Sequence, residues 1–151
     1  DPAILKQLLA AIAEIAETLP VWFPVHPRTR AVLGAAELKP YIDHPNFHLA
    51  APASYFEMIG LLQEARLVLT DSGGLQEESS ALGIPCYTLR ENTERPVTVS
   101  LGTNTIVGNS ADNLRAAFRA FQAGDRKSGT IPPLWDGKTA ARIVEHLENW
   151  I

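Results

Sequence analysis

Arg66-Leu67-Val68-Leu69-Thr70-Asp71-Ser72-Gly73-Gly74-Leu75-Gln76-Glu77-Glu78 passes from an apolar run, through a glycine pair, into a helical pattern. Residues 66–70 predict a buried strand, and a helix follows the turn at 71–74 and runs to Leu82, where Gly83 and Pro85 stop it. A strand that empties through a glycine turn into a helix is the βα half of a parallel crossover. Downstream, residues 85–89 and 103–107 read as further strands, and 110–123 and 138–150 as helices separated by a Gly/Pro-rich loop at 124–137. Upstream, Asp1 can cap and Pro2 can open a helix over 2–18, along which Ile4, Leu5, Leu8, Leu9, Ile12, Ile15 and Leu19 recur at helical spacing. Residues 21–25 read as a buried strand ending at His26-Pro27, 29–37 as a short helix, and 47–50 as a strand. Pro52 opens a helix at roughly 54–64, with Phe56, Ile59 and Leu62 expected to face inward. The strands are continuous apolar runs rather than alternations, as strands covered on both faces require. The expectation is one doubly wound, Rossmann-like α/β domain with a parallel sheet, spanning residues 1–151.

Composition narrows the classes. A chain of 151 residues can bury one core, and 46% hydrophobic with 20% charged residues suits an ordinary globular domain. A net charge of −4 argues against a nucleic-acid surface, whose footprint is basic. No apolar run reaches the ~20 residues of a membrane helix, so no membrane role is expected. The single cysteine, Cys86, excludes an internal disulfide and a cysteine-based zinc site, and a cytoplasmic setting is the default. No metal is expected. The start at Asp1-Pro2, directly on a helix and without Met or a leading strand, is expected to mark a piece of a longer protein.

Ligands of doubly wound sheets bind beyond the carboxyl ends of the strands, and two clusters fall there. In the first, Gly73 and Gly74 let a ligand approach the backbone, and the unpaired N–H groups of the following helix start make an anion site fit for a diphosphate. Ser72 can add a hydroxyl. Glu78, one turn on, leans back toward the N-terminus and can accept both hydroxyls of a ribose. The plain alternative is that Glu77 and Glu78 only complement the positive helix end. The segment is neither a Walker loop nor a G-x-G-x-x-G fingerprint, so neither ATP nor NAD is indicated, and no cofactor is expected. The second cluster is Arg90-Glu91-Asn92-Thr93-Glu94-Arg95-Pro96, whose arginines, Thr and Asn can clamp phosphate oxygens. Its plain alternative is a surface loop with a Glu94–Arg95 charge pair. His44, His48 and His146 lack metal-ligand spacing, Cys86 reads as packing, and Trp135 and Trp150 as core or interface residues.

Together, residues 69–78, Leu82-Gly83-Ile84-Pro85, Leu89-Arg90, Asn92-Thr93-Glu94-Arg95-Pro96, Gly102-Thr103 and Val107-Gly108 closely resemble the UDP-N-acetylglucosamine 2-epimerases of the non-hydrolysing kind. Phe23-Pro24-Val25-His26-Pro27-Arg28-Thr29, Asp136-Gly137 and Ala141-Arg142-Ile143 look like family segments too. The resemblance covers nearly the whole chain, but only the C-terminal half of the family's two-domain, GT-B-like fold. It implies Ser72, Gly73 and Gly74 at the diphosphate, Glu78 at the ribose, Arg95 in the active site, and His26 near a regulatory site for a second substrate molecule. The family's Pro-Leu-x-Tyr and its uracil-packing aromatic correspond to Pro52-Ala53-Ser54-Tyr55 and Met58, a polarizable side chain that can cover a base or fill core. Many members carry Glu where this chain has Val97, so no acid or base is assigned there.

The implied reaction eliminates UDP from UDP-N-acetylglucosamine, leaving 2-acetamidoglucal, and adds it back with C2 inverted to give the manno epimer. The implied partners are UDP or the UDP-sugar, an absent N-terminal domain carrying the acid and base, and a homodimer in the full-length form; cell-surface polysaccharide synthesis is the expected setting. Alternatives from the same residues are a hydrolysing epimerase, a GT-B glycosyltransferase donor domain, and a non-catalytic UDP-sugar sensor.

Overall fold

The computed structural model describes residues 1–150. Its element order is α1 (Pro2–Ala16), β1 (Val21–Pro24), α2 (Pro27–Leu33), α3 (Lys39–Ile42), β2 (Phe47–Ala50), α4 (Tyr55–Glu64), β3 (Val68–Thr70), α5 (Gly73–Leu82), β4 (Cys86–Thr88), α6 (Pro96–Ser100), β5 (Asn104–Ile106), α7 (Ala111–Gln122) and α8 (Thr139–Glu148). Every strand pair is parallel. Among the described residues the ladders are two: β1 with β2, and β3–β4–β5 in that order.

Alternation along β3 and β4 explains their apolar runs. Leu67, Leu69, Tyr87 and Leu89 face one side and pack with Val107 against α1 and α7 through Ala11, Ile15, Leu114, Phe118 and Phe121. Val68 and Cys86 face the other side, where Ile84, Met58, Ile59, Leu62 and Leu75 cover them. Both faces are therefore covered, the condition under which a strand loses its polar alternation. Val21 of β1 joins the first cluster, so the two ladders share a core although no ladder hydrogen bond joins them among the described residues. Around β1 and β2, Val25, Phe47, Leu33 and Leu38 close a third cluster with Leu9 and Ala16 of α1.

Ends follow local chemistry. Asp1 accepts from the Ala3 N–H at 2.7 Å and Pro2 opens α1. Ser54 and Glu57 form a reciprocal capping box at α4. Gly83, at φ 72, lets α5 reverse into β4: its N–H and that of Ile84 return to the Ser80 and Ser79 carbonyls.

Several expectations need correction. The helix expected at 29–37 starts earlier, because His26 caps it and Pro27 takes its first position; it ends at Gly34, and α3 follows separately. The helix α6 was not expected; Pro96 sets its first turn. Phe56 is 83% exposed rather than inward-facing, because α4 meets the core only from Met58 onward. Trp22 is 60% exposed: its neighbours Val21 and Phe23 take the core side of β1, leaving the indole on the open side against the His48 ring at 4.7 Å. Trp150 is 80% exposed, which removes it from the core, and α8 buries none of its residues.

The irregular stretch between α7 and α8 is strapped down. Lys127 donates through Nζ to the Val99 carbonyl and to that of Asn104 at 2.6 Å, and the Thr130 N–H reaches the Leu101 carbonyl at 2.8 Å. Burial lowers the Lys127 pKa. Among the described residues, no helix is long and apolar enough to cross a membrane.

Candidate functional site

β3 ends at Thr70, and the chain turns into α5 within two residues. The Thr70 hydroxyl fixes that turn by accepting from the Ser72 N–H at 3.0 Å. Ser72 is the N-cap of α5, yet its side chain makes no capping hydrogen bond. The first-turn N–H groups of α5 and the exposed Ser72 hydroxyl thus face outward at the carboxyl edge of the sheet. An uncapped helix start of this kind favours an anion through both its donors and its dipole.

The loop after β4 closes over this start. A Cβ built on Gly73 would lie 2.7 Å from Glu94 Oε1 and 3.7 Å from Arg95 Cγ, so Gly73 provides the room in which these side chains approach the helix. Gly73→Ala should push only the flexible Glu94 carboxylate aside while narrowing the approach to the N–H groups. The expected result is an unchanged melting temperature and anion binding about fivefold weaker, roughly 1 kcal/mol. Calorimetric titration beside thermal unfolding checks both halves of that expectation.

The charges also pair differently from the Glu94–Arg95 contact of the plain surface-loop alternative. Glu94 accepts from Arg90 Nη1 at 2.9 Å, and Arg95 Nε lies 3.2 Å from Glu77 Oε1 of α5. Only the Nε edge of Arg95 is engaged; its terminal nitrogens have no hydrogen-bond partner among the described residues. Thr93 is not aimed outward as a phosphate clamp. Its hydroxyl donates inward to Gln76 Oε1. Glu78 is half-buried, and burial, followed by the charge of Glu77, raises its pKa.

Beneath the loop lies a polar cluster that the sequence reading did not single out. Asn104 Nδ2 donates to Gln76 Oε1 at 3.1 Å and to Thr98 Oγ1 at 3.0 Å, and the Thr88 hydroxyl donates to Asn104 Oδ1 at 2.7 Å. Gln76, Thr88, Thr98 and Asn104 are each 0% exposed. The available signal was a polar residue at an otherwise inward helical position in α5, and Asn within an apolar strand.

The remaining candidates lie apart from this cluster. Tyr55, at the first position of α4, is 63% exposed and stacks edge-on with Phe56 at 5.5 Å. Met58 is half-buried against the cluster of Leu62, Val68, Ile84 and Cys86. His26 caps α2 by accepting through Nδ1 from the Arg28 N–H at 3.3 Å, the structural use of a His-Pro turn. Cys86 is fully buried and burial pushes its thiol up to about 11, as inert packing requires.

The sequence profile of the UDP-N-acetylglucosamine 2-epimerases matches residues 1–148. The chain belongs to that family. The UDP-N-acetylglucosamine 2-epimerase of Methanocaldococcus jannaschii is 38% identical over 146 residues, which are 95% of this chain and 39% of that protein. The UDP-2,3-diacetamido-2,3-dideoxy-D-glucuronate 2-epimerase of Pseudomonas aeruginosa is 37% identical over 148 residues, covering 97% and 40% respectively. Among solved structures, the Methanocaldococcus jannaschii UDP-GlcNAc 2-epimerase in complex with UDP-GlcNAc and UDP superposes with a TM-score of 0.82 at 35% identity, over 99% of this chain and 41% of that one. The Neisseria meningitidis UDP-GlcNAc 2-epimerase bound to UDP-GlcNAc gives 0.81 at 28% identity, over 96% and 40%. The parallel α/β architecture expected from the sequence is thus that of the GT-B-like epimerases, and the chain spans about two-fifths of the length of these relatives.

Proposed function

We propose that residues 1–151 form the single UDP-binding domain of a longer, two-domain UDP-N-acetylglucosamine 2-epimerase. The whole enzyme interconverts the gluco and manno epimers by eliminating UDP and adding it back. The observation that carries this is the uncapped start of α5 at Ser72-Gly73-Gly74, flanked by Arg95 and the half-buried carboxylate of Glu78. In the mechanism, the α5 N–H groups and the Ser72 hydroxyl receive the diphosphate. Arg95 meets the charge that grows on it as the C1–O bond breaks. Glu78 accepts the ribose hydroxyls, while Tyr55 and Met58 border the base. His26 borders a regulatory site. The acid and base that act at the sugar belong to the N-terminal domain, a homodimer is the working assembly, and the cytoplasm, where nucleotide sugars feed polysaccharide synthesis, is its place.

The Pseudomonas aeruginosa relative is named for a different UDP-sugar yet matches the same stretch with nearly the same identity. That favours a division of labour in which this domain recognises UDP and the other domain selects the sugar. Purified residues 1–151 are expected to bind UDP weakly and UDP-N-acetylglucosamine no more tightly, with no epimerisation, whereas the full-length protein turns over. Turnover by residues 1–151 alone, or strong preference of this domain for one sugar, would overturn the division. Release of free N-acetylmannosamine by the full-length protein would make it a hydrolysing epimerase. UDP binding without any turnover would make it a sensor.

A further inference from the structure

Arg95 is the N-cap of α6, at φ −118 and ψ 59, outside the helical and extended basins. Two threonine side chains hold its backbone there. Its N–H donates to Thr93 Oγ1 at 2.9 Å, and its carbonyl accepts from the Thr98 hydroxyl at 2.7 Å. Each hydroxyl has one proton, so each can pass the constraint on in only one direction. Thr93 spends its proton on Gln76 Oε1, and Thr98, having spent its own on Arg95, accepts from Asn104 Nδ2 at 3.0 Å. Asn104 and Gln76 are bonded to each other at 3.1 Å. Both sides of the Arg95 backbone are therefore referred to one buried amide pair, and Gln76 belongs to the helix whose N-terminus forms the anion site.

This arrangement is costly as packing. Gln76 Nε2 is buried with no partner among the described residues, and an orphaned amide donor costs about 1–3 kcal/mol. An apolar residue of similar length would avoid that cost. What it would lack is an acceptor shared by Thr93 and Asn104. We infer that Gln76 and Asn104 are positioning residues, acting through Thr93 and Thr98 to set Arg95 against the start of α5. The inference rests on the reading of Arg95 as an active-site residue, and it extends that reading to residues that touch no ligand.

Thr93 is only half-buried, so Thr93→Val in the full-length enzyme removes the relay with little change in shape. The expected result is a fall in kcat of ~10- to 10²-fold, the scale of a misplaced catalytic group, with KM and UDP affinity changed far less. Thr93→Ser, which keeps the hydroxyl, should restore turnover. Hydrogen exchange at the Arg95 amide should quicken in the Val variant and return to the wild-type rate in the Ser variant. Full turnover in Thr93→Val, equal losses in both variants, or unaltered exchange at Arg95 would overturn the inference. If the wild-type protein epimerised no UDP-sugar, the functional reading would fall, and the positioning role would be decided by the exchange rates alone.

Discussion

In the full-length enzyme, Arg95→Lys is expected to lower kcat by ~10²-fold or more, the loss seen when a donor to a developing oxyanion is removed. KM should change far less. On the proposed mechanism, negative charge on the diphosphate grows as UDP departs, so a cation at that point stabilises the transition state more than bound substrate. Lysine keeps the charge and loses the planar fork. The structure sharpens the contrast, because Arg95 places Nε 3.2 Å from Glu77 Oε1, and its terminal nitrogens have no hydrogen-bond partner among the described residues. A lysine ammonium cannot serve Glu77 and a phosphate oxygen with the same separation. The competing role is structural, with Arg95 bracing the loop against α5 through Glu77. That pair is well exposed on both sides, and exposed pairs contribute little. Bracing alone would depress the melting temperature slightly and leave turnover per folded molecule intact. Steady-state kinetics beside a melting curve separates the two, and normal kcat with a lowered melting temperature would remove Arg95 from the chemistry.

The parts of the fold legible in the sequence are those with local causes. The turn from β3 into α5 needs a glycine at Gly73, where the Glu94 and Arg95 side chains crowd the backbone, and another at Gly83, where α5 reverses; both are visible as residues. The apolar runs of β3 and β4 announce a sheet covered twice. What escaped depends on distant neighbours. Pro96-Val97-Thr98-Val99-Ser100 is rich in β-branched residues and makes only a short helix, so propensity gives no warning of α6. The apolar character of β1 could not say that its Trp22 side lies open. Gln76 and Asn104 are 28 residues apart, and their pairing is a fact of tertiary packing. For the same reason the candidate site was half legible: the turn at Ser72-Gly73-Gly74 and the arginine could be named as candidates, but not the pairing of Arg95 with Glu77 or the inward turn of Thr93.

Glu78→Gln should weaken UDP binding by about 1–3 kcal/mol, the range for hydrogen bonds to a charged group. A carboxylate can accept from both hydroxyls of a ribose; a carboxamide offers one oxygen and turns a donor toward the other hydroxyl. The same substitution should matter much less for a 2′,3′-dideoxy analogue, which has no diol to lose. A second signature follows from the position of Glu78. Burial and the neighbouring Glu77 raise its pKa above the ordinary 4.5 of a glutamate. Only the charged form accepts from both hydroxyls, so the advantage of the wild type over Glu78→Gln is complete well above that raised pKa. It must shrink as pH falls through it, sooner than for an unperturbed glutamate. The protonation of UDP itself is common to both proteins and cancels in the comparison. If Glu78 merely complements the positive end of α5, the outcome differs. The substitution would then weaken UDP and its dideoxy analogue equally, and the stability of α5 rather than the ribose contact would carry the effect. Titration calorimetry with both ligands across the acidic range distinguishes these cases, and equal losses for the two ligands would place Glu78 outside the ribose site.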